Sequence, residues 1–268
     1  MKPVLRVNNL NLFYKIGKST GTVVNHLGAA VIFFSTAFIR IFRRKQAGEI
    51  IQQVYYIGAT SSSIVVVVGL FTGMVLGLQL YYTLIKFGSE GMVGAAISLS
   101  LIRELGPVLT AIMITARAGS AMTAEIGIQR ITEQIDALYT MRIDPVAYLI
   151  SPRIAAAILS FPLLTAFFDL IGIFGGWLTA VLLMGVNDGA YYHRIHSSVE
   201  MVDIRGGFIK SIVFALIVST ICCYQGYFTH LRAESHGARS VSASTTAAVV
   251  LSCVMILITD YVVTSFLM

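Results

Sequence analysis

Residues 58–86 read GATSSSIVVVVGLFTGMVLGLQLYYTLIK, a run whose only formal charge is its last residue, Lys86. A helix needs about 20 apolar residues to cross the roughly 30 Å hydrocarbon core of a bilayer. This stretch is long enough, and a helix is the form in which its backbone satisfies itself where no water is present. Four more stretches of the same character follow at about 92–116, 148–184, 208–228 and 246–267. The composition agrees with them: 56% of the 268 residues are hydrophobic and only 12% are charged, against about 25% charged in soluble domains. The expected fold class is therefore all-α, a polytopic integral membrane protein forming one domain over 1–268. The same arithmetic argues against a soluble enzyme, a secreted module or a nucleic-acid binder.

Upstream of the first span, residues 1–21 are polar and basic (Lys2, Arg6, Lys15, Lys18). Residues 22–39 then carry no formal charge before the cluster Arg40, Arg43, Arg44, Lys45. A run ending in four cations lacks the small-residue cleavage site of a signal peptide, and it is barely long enough to cross. Crossing would leave four cations on each side of the membrane. Lying in the interface keeps all eight in one compartment, as the positive-inside rule prefers. An interfacial helix over 22–45 is the favoured reading and a sixth span the alternative. With a cytoplasmic amino terminus, the five spans end outside, and the cytoplasmic side holds most of the 19 Lys+Arg, including Arg117, Arg130, Arg142, Arg153, Arg232 and Arg239. Only Lys86, Arg194 and Arg205 lie outside. The net charge of +6 thus reads as a topology signal.

Gly69, Gly73 and Gly77 form a small-xxx-small row through which another helix approaches closely. Leu76, Leu80, Thr83 and Phe87 recur on one face of the same span, and that face suits lipid, a neighbouring helix or a greasy cavity equally. The stretch 148–184 is too long for one perpendicular crossing at about 1.5 Å per residue. With Pro152, Pro162, Gly172, Gly175 and Gly176 it is expected to tilt, kink or break. Cys222, Cys223 and Cys253 sit in apolar stretches without ligand-like spacing and read as small core residues.

Ionisable groups at membrane depth are the most informative residues, because each is costly unless paired or solvated. Arg103 and Glu104 are adjacent, so on a helix they point about 100° apart and reach different partners. Lys210 and Asp260 are candidate partners, and Asp169 stands alone in the third span. These charges serve either as register-fixing ion pairs or as the lining of a polar cavity that handles a charged head group or an ion. The link from Arg117 to Arg153 holds Glu125, Arg130, Glu133, Asp136, Arg142 and Asp144, with Ile126, Ile131, Ile135 and Leu138 at near-helical spacing. An amphipathic helix over 124–138 is expected. Its apolar face suits either lipid or a groove on a partner, and the acids on its polar face favour the partner over an anionic membrane.

Other motifs do not develop. Gly17-Lys18-Ser19-Thr20 resembles the end of a phosphate-binding loop, but Leu12 stands where the motif needs glycine, so the chain is not expected to bind ATP. His193 and His196 beside Asp188 fit a solvated loop better than a metal site. No nucleophile–base pair has local support.

The run Arg103-Glu104-Leu105-Gly106-Pro107-Val108-Leu109-Thr110-Ala111 is distinctive, as are Ala124-Glu125-Ile126-Gly127, Thr132-Glu133-Gln134-Ile135-Asp136-Ala137-Leu138, Asp144-Pro145 and Pro152-Arg153. Together with Lys210-Ser211, Val213-Phe214-Ala215, Gly237-Ala238, Val241 and Thr245-Thr246, they resemble the MlaE family over about residues 55–265. These are permease subunits of bacterial lipid-transporting ABC systems. The resemblance implies an amino-terminal interfacial helix, five spans and a cytoplasmic coupling helix, in a homodimer in the inner membrane. It implies as partners two ABC ATPase subunits that carry ATP and Mg, a ring of MCE-domain protein expected as a hexamer, a small STAS-domain protein, and phospholipid. No cofactor is expected on this chain, which is non-catalytic. Carried over by position, the lipid cavity takes Arg103, Glu104, Lys210 and Asp260 with Leu76, Leu80, Thr83 and Phe87. Coupling to the ATPase takes Glu125, Arg130, Thr132, Glu133, Gln134, Asp136 and Leu138. One departure is that Ser244-Thr245-Thr246 is followed by Ala247 where the family often has arginine. The alternatives are an ion-coupled secondary transporter relaying protons through Glu104, Asp169 and Asp260, an MCE-associated permease for sterols or fatty acids, and a scaffold for MCE proteins.

Overall fold

A computed structural model of the protein describes residues 28–29, 31–40, 47–231 and 237–267. The polar segment 1–21 and the cations Arg43, Arg44, Lys45 and Arg232 lie outside the described residues, as does most of 22–45 beyond its central helix. Among the described residues the secondary structure is helical, without strands. A short apolar helix, α1 (Val31–Arg40), precedes the first of five helices long and apolar enough to cross a membrane. These five are α2 (Gly48–Phe87), α3 (Glu90–Ile131), α5 (Val146–Leu183), α7 (Met201–Tyr227) and α8 (Ala238–Leu267). Two shorter helices stand between them: α4 (Gln134–Thr140) after α3, and α6 (Asp188–Ser198) before α7. The protein is an all-α polytopic membrane protein.

The spans outrun the apolar stretches that announce them. Helix α2 reaches back to Gly48 and α3 continues to Ile131, because good helix formers such as Glu49, Gln52 and Gln53 continue a helix past the hydrocarbon edge. Large apolar side chains face outward along the bundle, among them Phe71, Val75, Leu163, Phe167, Leu257 and Tyr261. So broad an apolar exterior is foreign to a water-soluble monomer and suits lipid.

Helices α2 and α5 form the most intimate pair. A Cβ at Gly73 would stand 1.8 Å from the Gly172 carbonyl oxygen, and one at Gly175 would stand 2.3 Å from that of Leu70. The small-residue row of α2 is therefore spent inside this chain. The glycines of α5 serve the same contact and do not break it. The helix runs unbroken from Ser151 to Trp177 with Pro162 inside, flanked by wider π-turns at Val146–Ile150 and Leu178–Leu183. Of the tilt, kink or break expected, a break is ruled out.

A main core runs between the spans, with Ile97, Leu101, Phe161, Phe168 and Phe214 at its centre. A second core closes one end of the bundle, where Phe33 and Ala37 of α1 meet Ile126, Ile135, Ile150, Ile154, Cys223 and Tyr227. The Ser151 hydroxyl donates to the Ala37 carbonyl at 2.9 Å, and Arg40 pairs with Asp144 at 2.7 Å. Val31, Ile32 and Ile39, on the far side of α1, are exposed. Helix α1 thus lies fastened across the ends of the other helices with an apolar face turned outward. Over Val31–Arg40 it rises only about 15 Å, half of what a crossing needs.

The single amphipathic helix expected over 124–138 is divided. Glu125 and Arg130 belong to the last turns of α3, which ends at Ile131. The chain then turns through Glu133, whose φ of +59° is left-handed, before α4 begins at Gln134. The Thr132 and Glu133 N–H groups return to the Ile128 and Arg130 carbonyls at 3.0 and 3.3 Å, the kind of closure that ends a helix. The apolar side of this segment is not on offer to a partner, because Ile126 and Ile135 are fully buried in the second core.

Candidate functional site: a charged cluster at membrane depth

The run from Leu101 to Pro107 departs from α-helical geometry for a reason written in its sequence. Residues Leu101–Leu105 make a π-turn in which the Gly106 N–H bonds the Leu101 carbonyl. Pro107 has no N–H, so it serves neither Ile102, five residues back, nor Arg103, four residues back. Both carbonyls turn toward α7. The Ile102 oxygen rests against Gly207, where a Cβ would stand 2.6 Å away, and the Arg103 oxygen accepts from Lys210 Nζ at 2.9 Å.

Lys210 is the centre of the cluster, with its side chain only 3% exposed. Besides the Arg103 carbonyl, its ammonium donates to Glu104 Oε2 at 2.6 Å and lies 3.2 Å from Asp260 Oδ1 on α8. The ammonium thus makes two hydrogen bonds, to the Arg103 carbonyl and Glu104, and an ion pair with Asp260. Thr264, one turn beyond Asp260, donates to the Asp260 carbonyl at 2.8 Å and stands 3.4 Å from Glu104 Oε1. Arg103 points elsewhere, as adjacent helical residues must. Its Nε donates to Asp203 Oδ1 at 2.7 Å, while Asp203 Oδ2 accepts from the Glu200 N–H at 3.1 Å within the capping box that starts α7. Arg103 is 43% exposed and Asp203 only 8%, so the open edge of the pair is the guanidinium. Glu104, Lys210 and Asp260 lie on the order of 10–20 Å along their helices from the same end of the bundle, at about 1.5 Å per residue.

The four apolar candidates on α2 separate. Leu76 and Leu80 are half-buried against the main core, whereas Thr83 is exposed and donates to the Gln79 carbonyl at 2.8 Å, and Phe87 is exposed in the terminal turn. On the outer surface of α2, Val68, Phe71, Thr72, Val75 and Leu76 line a shallow apolar groove of about 340 Å³.

The other group of candidates gathers at the opposite end. Arg130 pairs with Asp136 at 2.7 Å, donates to His230 Nδ1 at 2.9 Å, and lies over the Tyr227 ring at 5.7 Å. Tyr139 and Tyr227 hydroxyls meet at 2.7 Å. One guanidinium therefore ties the end of α3 to α4 and to the end of α7. The partly exposed Glu125 pairs with the buried Arg153 at 2.9 Å. Thr132, Glu133 and Gln134 are exposed, and Leu138 is half-buried. His230 is held below the ordinary imidazole value, first by burial and then by the Arg130 charge beside it.

Comparison with known proteins decides the family. The family model described as Permease MlaE matches residues 50–266. The chain belongs to the MlaE permease family. Two bacterial relatives align over nearly their whole length and a plant relative over part of its own. A Haemophilus influenzae protein named "Intermembrane phospholipid transport system permease protein MlaE" is 38% identical, covering 96% of this chain and 98% of its own. A Rickettsia felis "Probable ABC transporter permease protein" is 39% identical over 95% of this chain and 97% of its own. Protein TRIGALACTOSYLDIACYLGLYCEROL 1, chloroplastic, of Arabidopsis thaliana is 35% identical over 81% of this chain and 60% of its own. In this MlaE-family chain the Arg103–Pro107 run lies within the matched residues and is the stretch whose unusual helix geometry builds the cluster.

Sequence reading missed Asp203, Arg153 and Thr264. Asp203 sits three residues after Glu200 at a helix start, where an acid reads as a cap. Arg153 reads as a topology charge beside Pro152, and Thr264 as one more small residue in a span.

Proposed function

We propose that the protein is the transmembrane permease subunit of an ATP-driven phospholipid transporter in a bacterial inner membrane, moving lipid between inner and outer membranes. In this reading it works as a homodimer with two ABC ATPase subunits that carry ATP and Mg, an MCE-domain ring and a STAS-domain protein. Its amino terminus is cytoplasmic and its carboxyl terminus periplasmic. The observation that carries the reading is the Lys210 cluster at membrane depth with the half-exposed Arg103 beside it, in a chain whose Haemophilus relative is named for intermembrane phospholipid transport.

The cluster divides the labour. Lys210 is enclosed and fully engaged with oxygens of its own chain, so it holds the frame and does not meet a head group. Arg103 uses only Nε on Asp203, and the rest of its fork of five donors is free for a lipid phosphate, which guanidinium groups bind well. Leu76 and Leu80 border the acyl path, with Thr83 and Phe87 at its exposed mouth. Helices α2 and α8, the least buried of the five spans, leave the broadest apolar faces for a second copy and for lipid. At the other end the ATPase meets the exposed residues of the turn and of α4, namely Thr132, Glu133, Gln134 and Asp136. Arg130, Leu138 and Glu125 pass the motion inward to Tyr227, His230 and Arg153.

The test is reconstitution of the purified complex in proteoliposomes, with ATP-dependent transfer of labelled phospholipid as the readout. Arg103→Ala is expected to lower transfer at least tenfold while the variant still assembles with its partners. Loss of assembly in step with loss of transfer would mean a structural residue, and the lipid-handling assignment would fall.

A further inference from the structure

Asp169 lies in the middle of α5 and is the one acid at this depth that the cluster leaves out. Its Oδ1 packs onto the π-turn helix, where a Cβ on Gly106 would stand only 1.9 Å away. That oxygen is buried and has no hydrogen-bond partner in the protein, and none of the ion pairs among the described residues includes Asp169. The charged groups on the helices packed against α5 near this depth are Arg103 and Glu104 on α3, and Asp203, Arg205 and Lys210 on α7. Arg103 pairs with Asp203, and Lys210 with Glu104 and Asp260, and neither cation forms an ion pair with Asp169. Arg205 is exposed. Helix α2 offers no titratable residue between Tyr56 and Tyr81.

An ionised carboxylate without a counter-charge in hydrocarbon costs several kcal/mol or more, and such a group neutralises instead. Neutrality here needs a proton, because no cation is within reach. We propose that Asp169 is a proton-binding site, a carboxylic acid held uncharged against Gly106 for as long as α5 and the π-turn stay in contact. Releasing the proton requires water or a cation at Oδ1. Gly106 lies directly against Oδ1, so that oxygen becomes accessible when α5 moves off the turn that carries Arg103 and Glu104. Glu104 and Asp260 each stand within ion-pair distance of Lys210, which sets Asp169 apart from them as the acid without a counter-charge.

Infrared spectroscopy of the full chain in lipid nanodiscs tests this without reference to transport. At neutral pH the wild type is expected to show a protonated carboxylic C=O band that is lost in Asp169→Asn and fades in the wild type as pH is raised. If the asparagine variant does not assemble, Asp169→Leu, uncharged and of comparable volume, takes its place, and the band must be missing there too. A wild-type-minus-variant spectrum containing only carboxylate bands at neutral pH would overturn the proposal. So would a protonated-acid band of the same intensity in the wild type and the variant.

Discussion

Lys210 Nζ donates to the carbonyl oxygen of Arg103 at 2.9 Å, the acceptor that Pro107, four residues on, leaves without a helical N–H. The proline and the lysine are thus two halves of one device. Pro107 opens an acceptor in the middle of a span, where an unmatched carbonyl is expensive, and a buried ammonium from α7 fills it. Glu104 and Asp260 then supply its counter-charge. The arrangement holds α3, α7 and α8 together at one point, and it predicts that Lys210 matters to the fold before it matters to any substrate.

Replacing Lys210 with Met removes the ammonium and leaves two acids and a carbonyl unmatched. Breaking a buried pair in this way destabilises by about 3–5 kcal/mol. The expected outcome is a large fall in the melting temperature of the detergent-solubilised protein, by fluorescence-detected gel filtration after heating. Adding Glu104→Gln and Asp260→Asn to Lys210→Met is expected to recover much of the loss. A single variant that melts like the wild type would show that the cluster does not brace the bundle.

Gly73 faces Gly172 so closely that an added Cβ would fall 1.8 Å from its carbonyl oxygen, whereas at Gly69 the nearest atom, the Phe168 oxygen, is 3.1 Å away. Backbone meets backbone at Gly73, and no side-chain rotation relieves the clash. Gly73→Ala is expected to cost at least the 1–3 kcal/mol or so typical of overpacking, and Gly69→Ala clearly less. The yield of monodisperse protein ranks the two, and an equal yield would mean that α2 slides on α5 at little cost.

The two sites were not equally legible in sequence. Charge at membrane depth singles out Arg103, Glu104, Lys210 and Asp260 because hydrocarbon makes each conspicuous. Asp203 hides in a helix cap, and nothing local says that it holds Arg103. The small-residue row of α2 is equally visible, but which helix fills it depends on Gly172 and Gly175, about a hundred residues away. The amphipathic period over 124–138 survives in the buried Ile126 and Ile135, yet the helix does not. Periodicity continues through the turn because both sides of it bury residues in one core, and no glycine or proline marks the left-handed position that Glu133 fills.

His230 accepts from Arg130 only while its imidazole is neutral, and protonation sets two cations against each other. Burial first, and then the Arg130 charge, hold its pKa below the ordinary 6.5, with Asp136 the one acid nearby that opposes the shift. A folded-state pKa below the unfolded value means a contribution that is present in full above about pH 6.5 and is lost as pH falls through the folded value. ATP-driven transport by the reconstituted complex is expected to decline below pH 6.5 in the wild type, and the decline is expected to be weaker in His230→Gln. Identical profiles would remove His230 from the account.

Glu133 is exposed and left-handed at the turn between α3 and α4, so its side chain and its backbone are separable. Glu133→Gly suits the φ of +59° and is expected to leave melting unchanged or raise stability by up to about 1 kcal/mol, while removing the carboxylate. Glu133→Lys keeps the strain and reverses the charge. If this turn is where the ATPase docks through its acids, the lysine variant loses ATPase in pull-downs and the glycine variant retains part of it, with both folded. If both bind ATPase as the wild type does, the docking face lies toward the far end of α4, where Tyr139 and, just past the helix, Met141 are large exposed side chains.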